Sequence, residues 1–271
     1  MEASQTSYQH MSTVLVIEDV FTDHQLFCLR EDCRRLQTSL GLSAEDLAAT
    51  SCSVDPFEHT PLPDQHPARS LPEAYLMERF KGGSLDQAAI ATFSSIALGT
   101  IPSLLRRLLD QPCLFLFSEN YIVKPSNSDI AFRWHRDADE QLACFFPACR
   151  PPYVSCWCPL SDTSTLNGTL VVSSQASVVR LRYSDLDHMD SAPISDMGLS
   201  SAEDPSGESG VPLEVRRGSV VVFSSVEWHR SGGNRSPADR TVFYAQYSFA
   251  PIRSSPDDSP LCLAVPCSGN P

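Results

Sequence analysis

The spacing of apolar residues divides the chain into a helical first part and a strand-rich second part. The run Val14–Ile17 is typical of a short strand. A stretch in which apolar residues recur every three or four positions follows it, which predicts a helix. Thr22 or Asp23 can cap the start of this helix, and Gly41 is a typical stop. Residues 85–109 repeat the helical spacing and predict a second long helix.

The sequence around these two predicted helices is less regular. Residues 43–73 are rich in Ser, Asp, Pro and His, and we expect them to form an irregular excursion. We expect Tyr75–Phe80 to be a strand. Pro102 lacks a backbone N–H and is expected to break or kink the second helix.

After residue 110 the chain consists of short β-type runs separated by Pro, Gly, Ser and Asn. Residues 184–210 form an acidic, Ser-rich insertion that we place on the surface. Helices followed by strands favour a β-sandwich or open barrel with helices packed on one side. The predicted strands are Leu114–Val123, Tyr153–Pro159, Thr169–Ser173, Gly218–Ser224 and Arg240–Phe249.

Composition and charge narrow the function classes. The chain has 271 residues and a formal net charge of -13, and Lys81 and Lys124 are its only lysines. Such a surface supplies few phosphate contacts, so we expect no binding to nucleic acid or to anionic membranes. We find no run of apolar residues long enough to span a membrane and no secretory signal at the start, and we expect a cytoplasmic protein with reduced cysteines.

A histidine and an aspartate two positions apart supply the first candidate chemistry. On a strand, His135 and Asp137 would point to the same face, where an imidazole and a carboxylate are adjacent ligands for a divalent metal. The signal alone is weak, because a second such pair, His188 and Asp190, occurs by chance in the acidic insertion. That second pair lacks β-type flanks, and we do not favour it as a metal site.

Two residues near the end of the chain strengthen the metal hypothesis. His229 lies at the end of a strand, and Arg240 opens the next strand across a turn rich in Gly, Asn and Pro. Antiparallel pairing of these strands would place the arginine beside the histidine. Two histidines and one carboxylate leave half of the metal open, as in non-haem Fe(II) oxygenases, and a guanidinium fits the far end of a small dicarboxylate.

These residues, taken in order, resemble the phytanoyl-CoA dioxygenase family of Fe(II)- and 2-oxoglutarate-dependent oxygenases. The resemblance covers about residues 75–250. It implies a mainly β fold with flanking helices and a double-stranded β-helix (jelly-roll, cupin-like) core. The whole chain, 1–271, would be one domain. The matching positions are His135, Asp137, His229, Ser231, Arg240 and the stretches Tyr121–Ser128 and Leu166–Leu170. The expected parts are a mostly helical 1–110, a core 111–250 with the insertion 184–210, and a tail 251–271.

The resemblance also implies a role for each matching residue. His135, Asp137 and His229 would be the catalytic iron ligands, and Arg240 would hold the distal carboxylate of 2-oxoglutarate with Ser231 as hydroxyl partner. Fe(II), 2-oxoglutarate and O2 are therefore the expected cofactor and co-substrates. Thr169 and Arg79 would add contacts to the co-substrate, with Lys81 as a rival to Arg79. Arg136 departs from the family pattern, but strand alternation would direct it away from the iron.

Aromatic residues near the expected mouth of the site predict a small, apolar or aromatic substrate. Hydroxylation is the expected reaction, with desaturation, epoxidation and ring formation left open, and natural-product tailoring is the favoured role. The alternatives are an acyl-CoA hydroxylase, a hydroxylase of protein or peptide side chains, a non-catalytic partner subunit, and a zinc hydrolase. A homodimer also stays open. The aromatic residues are Phe132, Trp134, Tyr153, Trp157 and Trp228, with Phe145 and Phe146 nearby.

Overall fold

A computed structural model describes residues 13–49, 51–57, 61–82, 87–141, 153–188, 205, 207–253 and 258–271. The strands are β1 (Thr13–Glu18), β2 (Ser53–Val54), β3 (Phe115–Lys124), β4 (Phe132–His135), β5 (Tyr153–Pro159), β6 (Leu170–Val172), β7 (Ser177–Arg182), β8 (Val211–Pro212), β9 (Val220–Ser224), β10 (His229–Ser231), β11 (Arg240–Ser248) and β12 (Val265–Pro266). The α-helices are α1 (Asp23–Leu40), α2 (Ala44–Ala49), α3 (Pro72–Arg79), α4 (Gln87–Ser94), α5 (Ile101–Leu109) and α6 (Asp137–Gln141). Short 3-10 helices occupy Pro67–Arg69, Thr165–Asn167 and Tyr183–His188.

The strands form two sheets that pack face to face. The larger sheet has the order β12-β3-β11-β5-β9-β1-β7, with β2 paired to β3, and the smaller sheet has the order β4-β10-β6-β8. All pairs are antiparallel except β1 with β7. The predicted jelly-roll core with flanking helices is therefore confirmed.

Alternating side chains of the larger sheet create two separate cores. On β11, Phe243, Ala245 and Tyr247 belong to the core shared with the helices, whereas Val242 and Tyr244 belong to the core between the sheets. The same alternation holds on the neighbouring strands. Because strand side chains point alternately to opposite faces, the polar residues at even positions of β11 must enter the space between the sheets. This is the space in which the candidate site lies.

The first predicted helix is confirmed, together with its ends. Thr22 caps α1 in a capping box with Gln25, and Gly41 ends it with a φ of 66°. Within the irregular excursion of residues 43–73, the structure adds the short helix α2, the two-residue strand β2, a 3-10 helix and the first two residues of α3. The predicted division of the chain into parts of one domain stays a prediction.

The predicted strand Tyr75–Phe80 is wrong, because this segment lies in helix α3. Pro72 stands in the first turn, where its missing N–H costs nothing. Tyr75 and Arg79, four residues apart, form the buried face of the helix. A short apolar run that also fits the helical period cannot be assigned from periodicity alone.

The second predicted helix is continuous but changes its winding. A π-helical segment, Ser95–Thr100, joins α4 to α5. Pro102 follows directly in the first turn of α5, and its ring conflicts with the carbonyl four residues earlier, so a wider turn accommodates it. The 23-residue stretch Gln87–Leu109 has a mean hydropathy of 1.6 in its best window and is long enough to cross a membrane. A core helix passes the same test, and Leu104, Leu105 and Leu108 are fully buried here.

Candidate metal centre

Three ligand side chains converge at one end of the space between the sheets. His135 ends β4 and lies opposite His229, the first residue of β10. Their ring centroids are 4.1 Å apart. Asp137 begins helix α6, and its Oδ1 lies 3.6 Å from His229 Nε2. The ligand atoms of all three residues lie within 4.8 Å of one another, and no other such cluster occurs among the described residues.

The backbone places Asp137 differently from the sequence expectation. His135 and Asp137 were expected on one strand, but β4 ends at His135 and the carboxylate sits on the first turn of α6. Arg136 between them donates to Asp139 at 2.5 Å and stacks on Trp228 at 4.8 Å, outside the inner cavity. The first turn of a helix favours a negative charge, so α6 holds the carboxylate in place.

Both histidines are oriented by the same kind of hydrogen bond. Nδ1 of His135 donates to the carbonyl of Arg133 at 2.8 Å, and Nδ1 of His229 donates to the carbonyl of Glu227 at 2.9 Å. Each ring therefore presents its Nε2 lone pair, which is the usual arrangement of metal-binding histidines. Burial lowers the pKa of His229 to about 4, so this imidazole is neutral at pH 7.

The carboxylate of Asp137 is held by three donors that the sequence analysis missed. Its Oδ2 accepts hydrogen bonds from Ser155 Oγ at 2.5 Å, from Gln246 Nε2 at 3.2 Å and from the hydroxyl of Tyr244. A usable signal exists in β11, where Arg240, Tyr244 and Gln246 are polar residues at even spacing in a strand whose middle part is otherwise mostly apolar. Such residues share one face of a strand.

A small cavity extends from the three ligands to Arg240. Arg240 is 1% exposed, and its Nη2 donates to the carbonyl of Gly168 at 3.2 Å. Its Nε and Nη1 have no hydrogen-bond partner among the described residues. Burial lowers the pKa of Arg240 to about 10, which still leaves it charged at pH 7. The remaining lining residues are Ile122, Phe132, Trp157, Leu170, Arg230, Ser231 and Tyr244.

A second, more open groove meets this cavity at His135, which lines both. Trp134 and Trp228 form its apolar surfaces. An arginine guanidinium covers each ring, Arg230 at 5.1 Å from the ring of Trp134 and Arg136 at 4.8 Å from that of Trp228. The groove is also lined by Arg133, Asp139, Glu140 and Gly207.

The structure separates the other predicted residues into those at the site and those away from it. Phe132, Trp157 and Ser231 line the inner cavity. Thr169 does not line it, because its hydroxyl is bonded to the carbonyl of Leu213. Its neighbour Gly168 supplies the backbone contact to Arg240 instead.

Neither of the two rival cations is brought to the cavity. Arg79 is buried and forms two ion pairs, with its Nη2 at 2.7 Å from Asp32 Oδ2 and its Nε at 2.7 Å from Glu119 Oε1. Lys81 is exposed and pairs with Glu78 at 3.1 Å. The position of Arg79 therefore gives no support to a contact with the co-substrate, because its charge is already neutralised in another part of the core.

Tyr153 is likewise directed elsewhere. It is buried against Phe117, with ring centroids 4.9 Å apart, and lines neither cavity. Phe145, Phe146 and Asp190 lie outside the described residues, so their predicted positions stay predictions. The described cysteines form no disulfide with one another, and their reduced state stays a prediction.

The donor set fits a ferrous ion. Two imidazole nitrogens and one carboxylate oxygen are the facial triad of non-haem Fe(II) oxygenases, and they leave the other half of an octahedral ion open. Here the cavity that adjoins the triad ends at Arg240, whose Nε and Nη1 have no hydrogen-bond partner in the part of the chain that the structure describes. A jelly-roll with this triad defines a non-haem iron oxygenase of the type that uses a keto-diacid.

The family comparison agrees with that class. The model of the family described as Phytanoyl-CoA dioxygenase (PhyH) matches residues 14–242, and the chain belongs to this family. It is a non-haem iron, 2-oxoglutarate-dependent oxygenase, with Fe(II), 2-oxoglutarate and O2 as cofactor and co-substrates. No curated protein matches the sequence of the chain.

Solved structures with the same fold are distant in sequence. The chain is 17% identical to a non-heme monooxygenase, the ThoJ-Ni complex, with a TM-score of 0.52, covering 96% of this chain and 83% of that one. It is 16% identical to AviO1 from Streptomyces viridochromogenes Tue57, with a TM-score of 0.53 and coverages of 92% and 93%. It is also 16% identical to SnoN, a non-heme alpha ketoglutarate dependent epimerase from nogalamycin biosynthesis, with a TM-score of 0.53 and coverages of 96% and 90%.

Proposed function

We propose that this oxygenase oxidises an unactivated C–H bond of a small, largely apolar metabolite, with hydroxylation as the reaction, in the tailoring of a natural product. One observation carries the proposal. The triad lies at one end of a small cavity and the buried Arg240 at the other, with Nε and Nη1 of Arg240 lacking hydrogen-bond partners among the described residues. His135 also borders a groove with two tryptophans. The inner cavity suits the co-substrate, and the groove suits the substrate.

The proposed roles follow from the directions of the side chains. Nε2 of His135, Nε2 of His229 and Oδ1 of Asp137 would hold the iron. Arg240 would bind the distal carboxylate of 2-oxoglutarate, because a carboxylate supplies both the acceptors and the negative charge that its guanidinium lacks. Ser231 would donate its hydroxyl to the same carboxylate. It is 6% exposed and lines the same cavity.

The protein supplies positioning, while the metal supplies the chemistry. When bound, Fe(II) with 2-oxoglutarate supplies an oxidant, formed from O2, that can remove a hydrogen atom from carbon. The apolar wall of Phe132, Trp157 and Leu170 keeps water from the co-substrate. Trp134 and Trp228 would hold the substrate by stacking, with one of its C–H groups beside His135.

The substrate class follows from the character of the groove. Its two tryptophan faces favour a flat or apolar body, and its charged rim (Arg133, Arg136, Asp139, Glu140) favours polar substituents at the edge of that body. SnoN, which shares the fold, acts in nogalamycin biosynthesis, in line with the proposed role in natural-product tailoring. The cytoplasmic location and the homodimer stay predictions.

The test is turnover of the Fe(II)-loaded protein with 2-oxoglutarate and a panel of terpenoid, alkaloid and aromatic metabolites. We expect at least one class to raise succinate release above the uncoupled background and to give a product with one more oxygen atom. His135→Ala serves as the inactive control. Stimulation by acyl-CoA esters alone, or by peptides alone, would contradict the proposed substrate class, and products that lack two hydrogens would contradict hydroxylation.

A further inference from the structure

Buried donors converge on the oxygen of Asp137 that faces away from His229. Tyr244, Ser155 and Gln246 all donate to Oδ2 and come from the paired strands β5 and β11. Ser155 is fully buried, Gln246 is 1% exposed and Tyr244 is 9% exposed. A carboxylate oxygen has about two lone-pair sites, so three donors more than fill the hydrogen-bonding capacity of Oδ2.

The direction of these hydrogen bonds is fixed by a chain of side chains behind them. The hydroxyl of Tyr153 donates to Oε1 of Gln141, and Nε2 of Gln141 donates to Oε1 of Gln246 at 2.8 Å. The amide of Gln246 therefore has only its Nε2 to present to Ser155 and Asp137. Ser155 accepts from that amide, so its own proton points to the carboxylate.

We propose that Tyr244, Ser155 and Gln246 are positioning residues that make Asp137 a one-oxygen metal ligand. With Oδ2 saturated, Oδ1 is the oxygen left for the ion, on the side of His229 Nε2. A second oxygen from Asp137 would occupy one of the three positions that the triad leaves open on a six-coordinate ion. The network therefore keeps those positions available for the co-substrates. This inference rests on the proposed roles of the triad.

Two tyrosines of β11 offer a matched pair of variants. Tyr244→Phe removes the hydroxyl that donates to Asp137, whereas Tyr247→Phe removes a hydroxyl that donates to the carbonyl of Ala97 at 2.7 Å on the other face of the strand. Both rings are buried in cores, so the variants share the cost of losing a buried phenol hydrogen bond. They differ in whether that loss touches the metal ligand.

The experiment measures Mn²⁺ affinity from the electron paramagnetic resonance signal of free Mn²⁺, with urea unfolding as the check of folding. Loss of an outer hydrogen bond to a metal ligand costs about 10- to 100-fold in affinity, and we expect this weakening for Tyr244→Phe and none for Tyr247→Phe. The visible spectrum of the Co²⁺-substituted protein should change in Tyr244→Phe alone. Affinity for 2-oxoglutarate at saturating Mn²⁺ should also fall in Tyr244→Phe and stay unchanged in Tyr247→Phe, because a freed Oδ2 can occupy a metal position that the co-substrate needs.

Wild-type Mn²⁺ affinity in both Tyr244→Phe and Tyr247→Phe would overturn the inference. An equal loss of Mn²⁺ affinity in the two variants would also overturn it, because it would indicate general destabilisation. Ser155→Ala removes a different donor from the same oxygen and decides the matter if Tyr244→Phe fails to fold; wild-type affinity in that variant would overturn the inference. A wild-type protein that binds no Mn²⁺ would instead refute the proposed function, so the two failures are distinguishable.

Discussion

Replacing Arg240 with methionine tests the co-substrate site through two opposite effects. In the protein without ligands, Arg240 is a buried cation that has one hydrogen bond, to Gly168, and no acidic partner among the described residues. Removing it loses a hydrogen bond worth about 1 kcal/mol and also removes the cost of burying an unpaired charge. We therefore expect the ligand-free protein to lose no more than about 1 kcal/mol in its free energy of unfolding.

The effect on 2-oxoglutarate should be much larger. In the complex, Arg240→Met would leave the distal carboxylate buried without its partner, which costs about 3–5 kcal/mol. At about 1.4 kcal/mol for each factor of ten, the dissociation constant should rise by roughly two to three and a half orders of magnitude. Arg240→Lys keeps the charge but loses the two-pronged geometry, so its dissociation constant should lie between those of the wild type and Arg240→Met.

Isothermal titration of 2-oxoglutarate into the Mn²⁺-loaded protein measures this constant without turnover. Arg79→Lys is the matched control, because Arg79 is equally buried but already paired with Asp32 and Glu119. It should lose stability and keep the wild-type dissociation constant. A wild-type dissociation constant for 2-oxoglutarate in Arg240→Met would refute the role of Arg240 in binding it. A raised dissociation constant in Arg79→Lys would refute it too, because Arg79 lies away from the cavity.

Three further predictions concern the ligands, a buried lysine and a tight turn. His135→Ala and Asp137→Ala should stay folded and lose more than about 100-fold in Mn²⁺ affinity, which is a larger loss than removal of a hydrogen bond to a metal ligand causes. Wild-type Mn²⁺ affinity in equilibrium dialysis would contradict the ligand assignment. Burial, and to a smaller extent the charge of Arg240, lower the pKa of Lys124 from 10.5 to about 7. Above pH 7 the unfolded chain therefore binds more protons than the folded protein, and the free energy of unfolding rises with pH. Relative to Lys124→Met, the metal-free wild type should gain roughly 1 kcal/mol per pH unit between pH 7 and 9 in urea unfolding, and parallel pH curves would exclude this. Gly168→Ala should destabilise the fold by more than about 1 kcal/mol, because Gly168 has a φ of 73° and an added Cβ would meet the carbonyl of Gly232; a wild-type melting temperature would count against it.

Short β-type runs between turn residues were sufficient to predict several of the main strands, though not β7 (Ser177–Arg182), and the jelly-roll class came from the family resemblance. Tyr153–Pro159 was predicted with the bounds that the structure has, and Arg240–Phe249 with one residue too many. The order of His135, Asp137, His229 and Arg240 was enough to indicate the chemistry. These signals are local, because side-chain period and motif spacing belong to the chain before it folds.

Tertiary structure alone decided what each polar residue does. Arg79 and Arg240 have the same side chain, but packing places two carboxylates beside Arg79 and gives Arg240 a single hydrogen bond within the described ranges, to the carbonyl of Gly168, at the end of a cavity. The donors to Asp137 come from strands more than eighty positions apart that β5–β11 pairing brings together. Partners in a buried network are set by which strands pair and in what register, and the helical or strand period of a segment carries no information on that pairing.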